Sequence, residues 1–331
     1  MTKPGNFPSL DQLDIRLIEE LETDVRQTYK DLAAKLEVSI PTISRRIKRL
    51  IDGGVTSILC LADARSLGYK YSIILGICTQ PGHEIDVANE LAASSHVTIV
   101  YLCTGQFSLC AWAHFRTARA LSDFLSNEVK LIRGVLSVNT MLMLQEVKVT
   151  SRLLTGDIGP RIPEYSECGL DKLDLNLIRE LQEDARQTNS QLARKLGVNH
   201  STIFRRMQRL IDKNIILIGA STNPFALEYD GVATVGLKCD PGKIKAVAEA
   251  VAAYKQVQYV GIYASPYDVV FWVAFRTLND LGDFIREELG RIRGLKEVAT
   301  TVNYKIVKML FRLPDLPPIV VPLVKLEPPP K

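Results

Sequence analysis

Residues 13–18 read LDIRLI, and residues 173–178 read LDLNLI, so one pattern returns 160 positions later (13 to 173). The same offset relates further segments without any insertion or deletion: RQT at 26–28 and 186–188, FRT at 115–117 and 275–277, and IRG at 132–134 and 292–294. A period of this length is far longer than the unit of a solenoid repeat. The sequence therefore predicts two copies of a whole unit, each large enough to hold two domains.

Composition excludes several classes of protein. The chain has 331 residues, of which 47% are hydrophobic and 24% charged, and this is ordinary usage for a globular protein. No apolar run approaches the ~18–20 residues that cross a bilayer, and residues 1–6 lack the apolar core of a secretion signal, so we expect a cytoplasmic protein without a membrane partner. Six cysteines form no C-x-x-C pair and the four histidines are scattered, so we expect neither a metal site nor a cofactor.

The front part of each copy has the pattern of three short helices. Asp11 and Asp171 are suited to cap a first helix, and Thr28-x-x-Asp31 has the capping-box pattern for a second one, with Thr188-x-x-Gln191 as its counterpart. A turn follows at Glu37 and Gly197. A left-handed backbone suits glycine better than glutamate, so we expect the first turn to be reshaped. This order predicts a helix-turn-helix domain in each copy.

The third helix decides the functional interpretation. Ile43, Ile47 and Leu50 fall on one face at about 100° per residue, and basic residues lie broadly opposite them, while Arg46 flanks the apolar stripe and is expected to pair with an acid of the first helix. Residues 39–50 hold four basic residues and no acidic one, and residues 199–210 hold three and none. A basic helix face is often only solvated, but its repetition after the same tight turn favours DNA binding. The candidate DNA contacts are Ser39, Thr42, Ser44, Arg45, Lys48 and Arg49 in the first copy, and Asn199, His200, Ser201, Thr202, Arg205, Gln208 and Arg209 in the second.

The back part of each copy alternates strand-like and helix-like segments. Apolar runs at 71–78, 97–103, 107–115 and 135–149 are separated by helical patterns after Pro81-Gly82 and before Ile132. The order β-α-β-β-α-β is typical of a ferredoxin-like domain, whose two helices cover one face of the sheet. The other face carries Trp112 and Trp272, so it needs a second copy to bury it, and the simplest arrangement is an internal pseudo-dimer.

These patterns define the expected organisation. The fold class is α+β, with two copies of an N-terminal helix-turn-helix domain followed by a ferredoxin-like βαββαβ domain. The predicted boundaries are 9–60 and 170–220 for the helix-turn-helix domains and 66–150 and 226–312 for the sheet domains, with a linker at 151–169 and a Pro-rich tail at 313–331.

The whole pattern resembles the Lrp/AsnC (leucine-responsive/asparagine-type) family of transcription regulators. The resemblance depends on Leu13-Asp14, Arg45-Arg46, Gly105, Arg133-Gly134 and Val147-Lys148, with counterparts such as Arg293-Gly294 and Val307-Lys308 in the second copy. It implies that residues 29–48 and 189–208 form the helix-turn-helix spans and that the third helix of each reads double-stranded DNA. It also implies that the sheet domain, called a RAM domain, supports homo-oligomers and senses an amino acid or related metabolite.

The family's sensing loop often reads Gly-x-x-Asp, but here residues 105–108 read GQFS and residues 265–268 read SPYD. Each copy therefore keeps one of the two residues. The candidate effector-binding residues that the resemblance implies are Gly105, Ser108 and Thr140, and Ser265, Asp268 and Thr300.

Two alternatives differ in class. Sirohaem decarboxylases resemble this architecture and carry a His-Asn-Tyr type motif on the strand that corresponds to residues 97–103, where this chain has Ile99-Val100-Tyr101 without a histidine. The chain also lacks a G-x-S-x-G elbow and a Walker loop, so we predict that it is not an enzyme. A small-molecule-binding scaffold that has lost DNA binding is the third interpretation, and the two basic helices argue against it.

Overall fold

The computed structural model describes residues 7–150, 152–155 and 169–309. Most of the predicted linker and the whole Pro-rich tail lie outside these residues. Over the described ranges, every helix is too short or too polar to cross a membrane.

The described chain forms helices and strands in the same order twice. The α-helices are α1 (Gln12–Thr23), α2 (Tyr29–Leu36), α3 (Ile40–Asp52), α4 (Glu84–Ala93), α5 (Ala118–Asp123), α6 (Lys172–Glu183), α7 (Asn189–Leu196), α8 (His200–Asp212), α9 (Ile244–Ala252) and α10 (Leu278–Asp283). The strands are β1 (Thr56–Ala62), β2 (Tyr71–Thr79), β3 (Val97–Thr104), β4 (Leu109–Phe115), β5 (Val135–Val149), β6 (Ile216–Thr222), β7 (Gly231–Cys239), β8 (Val257–Ala264), β9 (Val269–Phe275) and β10 (Leu295–Met309). The predicted fold class is thereby confirmed.

Local signals in the sequence start and stop the helix-turn-helix elements. The Asp11 carboxylate accepts a hydrogen bond from the Asp14 amide, and the Asp14 carboxylate accepts one from the Asp11 amide. Thr28 and Asp31 form the same pair of hydrogen bonds at the start of α2. Gly197 adopts a left-handed backbone with φ of 67°, and Glu37 does so too with φ of 57°, so the expected reshaping of the first turn is wrong. The first turn therefore keeps its geometry at a cost of about 1 kcal/mol relative to glycine.

The eight strands of the two sheet domains close into one antiparallel sheet, in the order β10-β3-β4-β2-β5-β8-β9-β7. The copies meet at two seams, where β5 pairs with β8 and β10 pairs with β3. The inner face is aromatic, and the rings of Trp112 and Trp272 lie 4.8 Å apart between centroids. The expected internal pseudo-dimer is thus present, and closure removes the exposed sheet edges.

The structure adds a strand pair that the sequence did not indicate. Strands β1 and β6 pair antiparallel across the copies, for example Leu59 with Gly219. The predicted domain boundaries at 60 and 220 fall inside these strands. Helix α1 packs against β6 and α6 against β1, so each helix-turn-helix module shares a core with the other copy's strand. The sequence gives no local signal for the β1–β6 pair or for these helix–strand contacts, because the partners are about half the chain apart.

One lysine in each copy joins the two halves: Lys148 is buried, and Lys308 is half-buried. The Lys148 ammonium donates to the carbonyls of Ala252 and Tyr254 at 3.0 and 2.9 Å, at the end of α9. Lys308 donates to the carbonyls of Ala92 and Ser94 at 2.8 and 2.9 Å, at the end of α4. Carbonyls at the end of a helix have no partner within it, so each last strand caps a helix of the other copy. Burial lowers the pKa of Lys148 from 10.5 to about 8.

We expect Lys148→Met to lower the free energy of unfolding by about 2–4 kcal/mol, because two buried carbonyls lose their donor. Since the pKa of Lys148 lies below its ordinary value in the folded state, the unfolded chain binds more protons between about pH 8 and 10.5, and stability rises with pH across this range. Urea denaturation at both ends of the range measures the rise, which should be smaller in the variant. The exposed Lys130→Met is the matched control, and an equal rise in both variants would contradict this role.

Candidate nucleic-acid interface and ligand-binding regions

Helices α3 and α8 present one face to the core and the other to solvent. Ile43, Ile47 and Leu50 are buried on α3, and Ile203, Met207 and Leu210 occupy the same positions on α8. The exposed side chains on the opposite face are Ser44, Arg45 and Lys48 in the first copy and Phe204, Arg205 and Gln208 in the second. A helix needs such an accessible polar face to enter a DNA groove.

The predicted residues at the start of both helices act as caps. The Ser39 hydroxyl accepts a hydrogen bond from the Thr42 amide at 3.3 Å. The Asn199 side-chain oxygen accepts from the Thr202 amide at 2.9 Å and from the hydroxyls of Ser201 and Thr202. His200 is exposed at the first helical position. Both helix starts are therefore ordered and polar, which suits them to a phosphate group.

Arg49 and Arg209 differ from the other predicted contact residues because each is bound to a buried acid. Arg49 pairs with Asp14, a carboxylate with no exposed surface, and Arg209 pairs in the same way with Asp174. Arg46 also bonds Asp14, at 2.8 Å, and Asp11, at 2.7 Å, as expected for a partner on the first helix. The hydrogen bond from Arg46 lowers the pKa of Asp11. Positions 46 and 49 lie one turn apart, so both guanidinium groups reach α1 and hold α3 against it.

Arg45, Lys48 and Arg205 differ from these arginines. Within the ranges that the structure describes, they form no ion pair or hydrogen bond, and all three are exposed. The face of α8 is less basic than that of α3, because Gln208 replaces Lys48 and bonds Asp212 at 2.8 Å. Phe204 replaces Ser44 and is 57% exposed. The two faces are thus similar in position but unequal in chemistry.

The two helix-turn-helix modules contact each other directly. The Arg26 guanidinium donates to the Asn189 side-chain oxygen at 3.3 Å and contacts the sulfur of Met207 on α8. In the reciprocal position, the Arg186 guanidinium lies 4.7 Å from the ring centre of Tyr29. The repeated RQT motif marks these arginines in the sequence, although it did not indicate their role. These contacts set the spacing between α3 and α8.

The candidate effector residues divide between the two seams. A Cβ atom at Gly105 would lie 2.9 Å from the carbonyl oxygen of Thr300, so these residues of different copies meet. At the other seam Leu142 pairs with Ala264, so Ser265, which directly follows β8, lies near the part of β5 that holds Thr140. Ser108 accepts from the Thr79 amide at 3.1 Å, and Asp268 accepts from the Cys239 amide at 2.7 Å. Each loop is therefore paired with the last strand of the other copy, and the side chain at its fourth position stabilises the loop.

A cavity of about 390 Å³ lies between the β1–β6 pair and the inner face of the closed sheet. Residues of both copies line it, including Trp112, Trp272, Tyr259, His114 and Glu146. Among the described residues that line the cavity, none is a lysine or an arginine. The sequence did not predict this cavity, because it arises where the exchanged strands cross the pseudo-dimer.

A duplicated module with paired, exposed basic helices above a shared sheet defines a helix-turn-helix transcription regulator. Residues 10–51 match the AsnC-type helix-turn-helix domain, residues 170–216 match a winged helix-turn-helix DNA-binding domain, and residues 72–153 and 232–313 match the Lrp/AsnC ligand binding domain. The chain belongs to the Lrp/AsnC family of transcriptional regulators and carries the family's pair of domains twice.

Each of the two relatives described next has about the length of one of the two copies in this chain. An uncharacterised HTH-type transcriptional regulator of Pyrococcus horikoshii is 32% identical over 148 residues, which are 44% of this chain and 94% of the relative. The HTH-type transcriptional regulator LrpA of the same organism is 29% identical over 140 residues, 42% of this chain and 99% of the relative. Among solved structures, siroheme decarboxylase NirDL superimposes with a TM-score of 0.63 at 14% identity, covering 92% of this chain and 94% of that one. At this identity the likeness shows a common fold alone.

Proposed function

We propose that this regulator binds double-stranded DNA through α3 and α8, with one helix in each of two major-groove segments. The observation that carries the proposal is the pair of exposed faces with the unpaired cations Arg45, Lys48 and Arg205. Arginine suits guanine edges and phosphates, and hydroxyl groups suit phosphates. The proposed contact set is Ser39, Thr42, Ser44, Arg45 and Lys48, with Asn199, His200, Ser201, Thr202, Arg205 and Gln208.

The unequal faces favour an operator with two unequal half-sites. Helix-turn-helix dimers bind half-sites that lie about one helical turn apart, or a multiple of it. Here one chain supplies both modules, and the contacts of Arg26 and Arg186 hold them at one spacing. An imperfect palindrome therefore fits the protein better than a perfect one. With DNA as its target, the protein is expected in the cytoplasm.

Selection of genomic fragments by the intact protein, followed by footprinting, tests this proposal. We expect two protected segments about one helical turn apart, and an affinity that falls steeply with salt because phosphate contacts release counterions. The matched control is a fragment in which one half-site is scrambled, which should lose most of the affinity. Binding that is indifferent to salt, or protection without a common sequence, would refute the proposal.

We further propose that the loops at the two seams bind an amino acid or a related metabolite and that the outer surface supports homo-oligomers. The match to a ligand binding domain supports the first part. Exposed apolar side chains such as Leu136, which is 61% exposed, and Leu131, which is 74% exposed, support the second. Amino acids added singly to the footprinting assay, and the mass of the particle in solution, test these two parts.

We also propose that the chain is not a decarboxylase of sirohaem. Sirohaem is a polycarboxylate and needs cationic side chains to bind it. The described lining of the cavity instead holds Asp63 and Glu146 and lacks lysine and arginine. Strand β3, where the resemblance places the decarboxylase motif, has no histidine at 99–101. Incubation of the purified protein with sirohaem, followed by product analysis, would reveal decarboxylation if this proposal is wrong.

A further inference from the structure

The cavity has the size and lining of a ligand-binding site. Its volume of about 390 Å³ falls within the roughly 300–1,000 Å³ that small-molecule sites occupy. It is closed by β1 and β6 on one side and by the inner face of the sheet on the other. It is distinct from the loops of Gly105 and Ser265, which do not line it.

Aromatic rings form much of its wall, and one of them carries an unused donor. Trp112 and Trp272 pack edge to face, and Tyr259 lies 5.0 Å from Trp272 between ring centroids. The indole N–H group of Trp272 is buried and has no hydrogen-bond partner among the described residues, whereas that of Trp112 lies beside the Tyr263 hydroxyl. An unsatisfied buried donor costs about 1–3 kcal/mol, so a native protein retains one where a ligand or water can use it.

The charged groups of the wall are acidic. Glu146 lines the cavity and forms no ion pair or hydrogen bond with any residue the structure describes. Asp63 lies nearby, bonded to the Ser66 amide at 2.8 Å. His114 bonds the Ser72 hydroxyl at 2.8 Å, and burial lowers its pKa to about 4, so it is neutral. The charged side chains that line the cavity are therefore acidic, and Arg65, a cation that acts on Glu146, is not part of the described lining.

The second copy has no polar counterpart of Glu146 or His114, whereas the capping role of Asp63 is kept by a polar residue. At the offset of 160 residues, Glu146 corresponds to Ile306, His114 to Ala274 and Asp63 to Asn223. The closed sheet thus includes apolar residues at the positions that correspond to Glu146 and His114. An acid that stabilised the fold would be needed in both copies, so the acidic half of the cavity points to recognition of a ligand.

We propose that this cavity binds a small aromatic amine, with its ammonium group at Glu146 and its ring against Trp112 and Trp272. The carboxylate offsets the ammonium charge, and the aromatic faces attract both the cation and the flat ring. The lack of lysine and arginine in the described lining leaves an anion without a cationic partner. The proposal does not depend on DNA binding, so the two can fail separately.

The two tryptophans are the only ones in the sequence, so their fluorescence reports directly on the cavity. We expect phenethylamine to change this fluorescence saturably and 3-phenylpropionate, an anion of similar size, to have no saturable effect. In E146Q the dissociation constant for phenethylamine should rise at least tenfold, while E90Q, on the exposed face of α4, should leave it unchanged. Circular dichroism checks that both variants are folded.

The pH dependence adds a test on the unaltered protein. Burial raises the pKa of Glu146 to about 8, with Asp63 raising it further and Arg65 lowering it. Tyr259, Tyr263 and the neutral His114 are the other titratable groups around it. Because the amine binds the ionised carboxylate, its affinity should rise with pH up to about 8, by up to roughly tenfold per unit.

Three results would overturn the proposal. One is the absence of saturable binding of phenethylamine up to its solubility limit. Another is binding of the anion that equals or exceeds that of the amine. The third is an amine affinity that is independent of pH or unaffected in folded E146Q. Since the comparison of amine with anion needs no variant, it remains decisive if E146Q does not fold.

Discussion

Replacing Arg45 and Arg205 together with alanine is expected to weaken binding to operator DNA by about 100-fold or more. Each exposed arginine faces solvent without an internal partner, so its removal deletes an interaction with DNA and leaves the fold intact. A bidentate hydrogen bond to a base contributes about 1–3 kcal/mol, and the effects of two such deletions multiply in the affinity. If either arginine binds a phosphate instead, the slope of log affinity against log salt falls by about one for each phosphate that is no longer neutralised.

Titration of fluorescent operator DNA at several salt concentrations measures both effects. The charge-matched control is the double variant Arg119→Ala and Lys245→Ala, which also removes two exposed cations but from α5 and α9. We expect its affinity to change by less than about threefold, since the long-range field alone is screened within about 10 Å at moderate salt. Equal losses of affinity in the two double variants would mean that net charge, and not the faces of α3 and α8, determines binding.

The sequence predicts those elements whose signals are local. The caps at Asp11 and Thr28 and the left-handed turn at Gly197 lie within a few residues of the helices they begin or end, and all of them appear in the structure. The apolar stripe of α3 likewise predicts its buried face. The offset of 160 residues predicts the duplication, and the unpaired apolar face predicts that the two sheets pack together.

Features that depend on distant partners could not be predicted in this way. The helical pattern groups Arg49 with Arg45 because both are basic and lie off the apolar stripe, yet only the packing of α1 brings Asp14 within reach of Arg49. The pairing of β1 with β6 and the position of Glu146 in a cavity arise from the exchange between copies. A period or a motif carries no information about such an exchange.

Glu22→Ala is expected to have the largest effect on stability, a loss of about 3–5 kcal/mol. Glu22 lies on α1 and is only 2% exposed. Its carboxylate accepts from the amides of Leu153, Leu154 and Thr155 at 2.9–3.0 Å, and from the Thr222 hydroxyl of β6 at 2.9 Å. One side chain thereby joins the first helix-turn-helix module, the chain after β5 and a strand of the second copy. Alanine would leave several buried donors without an acceptor.

Urea denaturation measures this loss of stability, with Glu19→Ala on the exposed face of the same helix as the control. The control should change stability by no more than about 0.5 kcal/mol, as surface substitutions usually do. A loss below about 1 kcal/mol for Glu22→Ala would mean that the three amides find other partners.

Glu22→Ala also has a consequence for DNA binding that distinguishes positioning from direct binding. The variant retains every side chain of α3 and α8, so its affinity for an isolated half-site should stay close to that of the unaltered protein. Its affinity for the complete operator should fall, because α1 would lose its hydrogen bond to β6 and keep only the apolar contact, so the spacing of the two recognition helices would vary. If the half-site affinity also falls, Glu22 is needed for the folding of the module itself and not only for the alignment of the two copies.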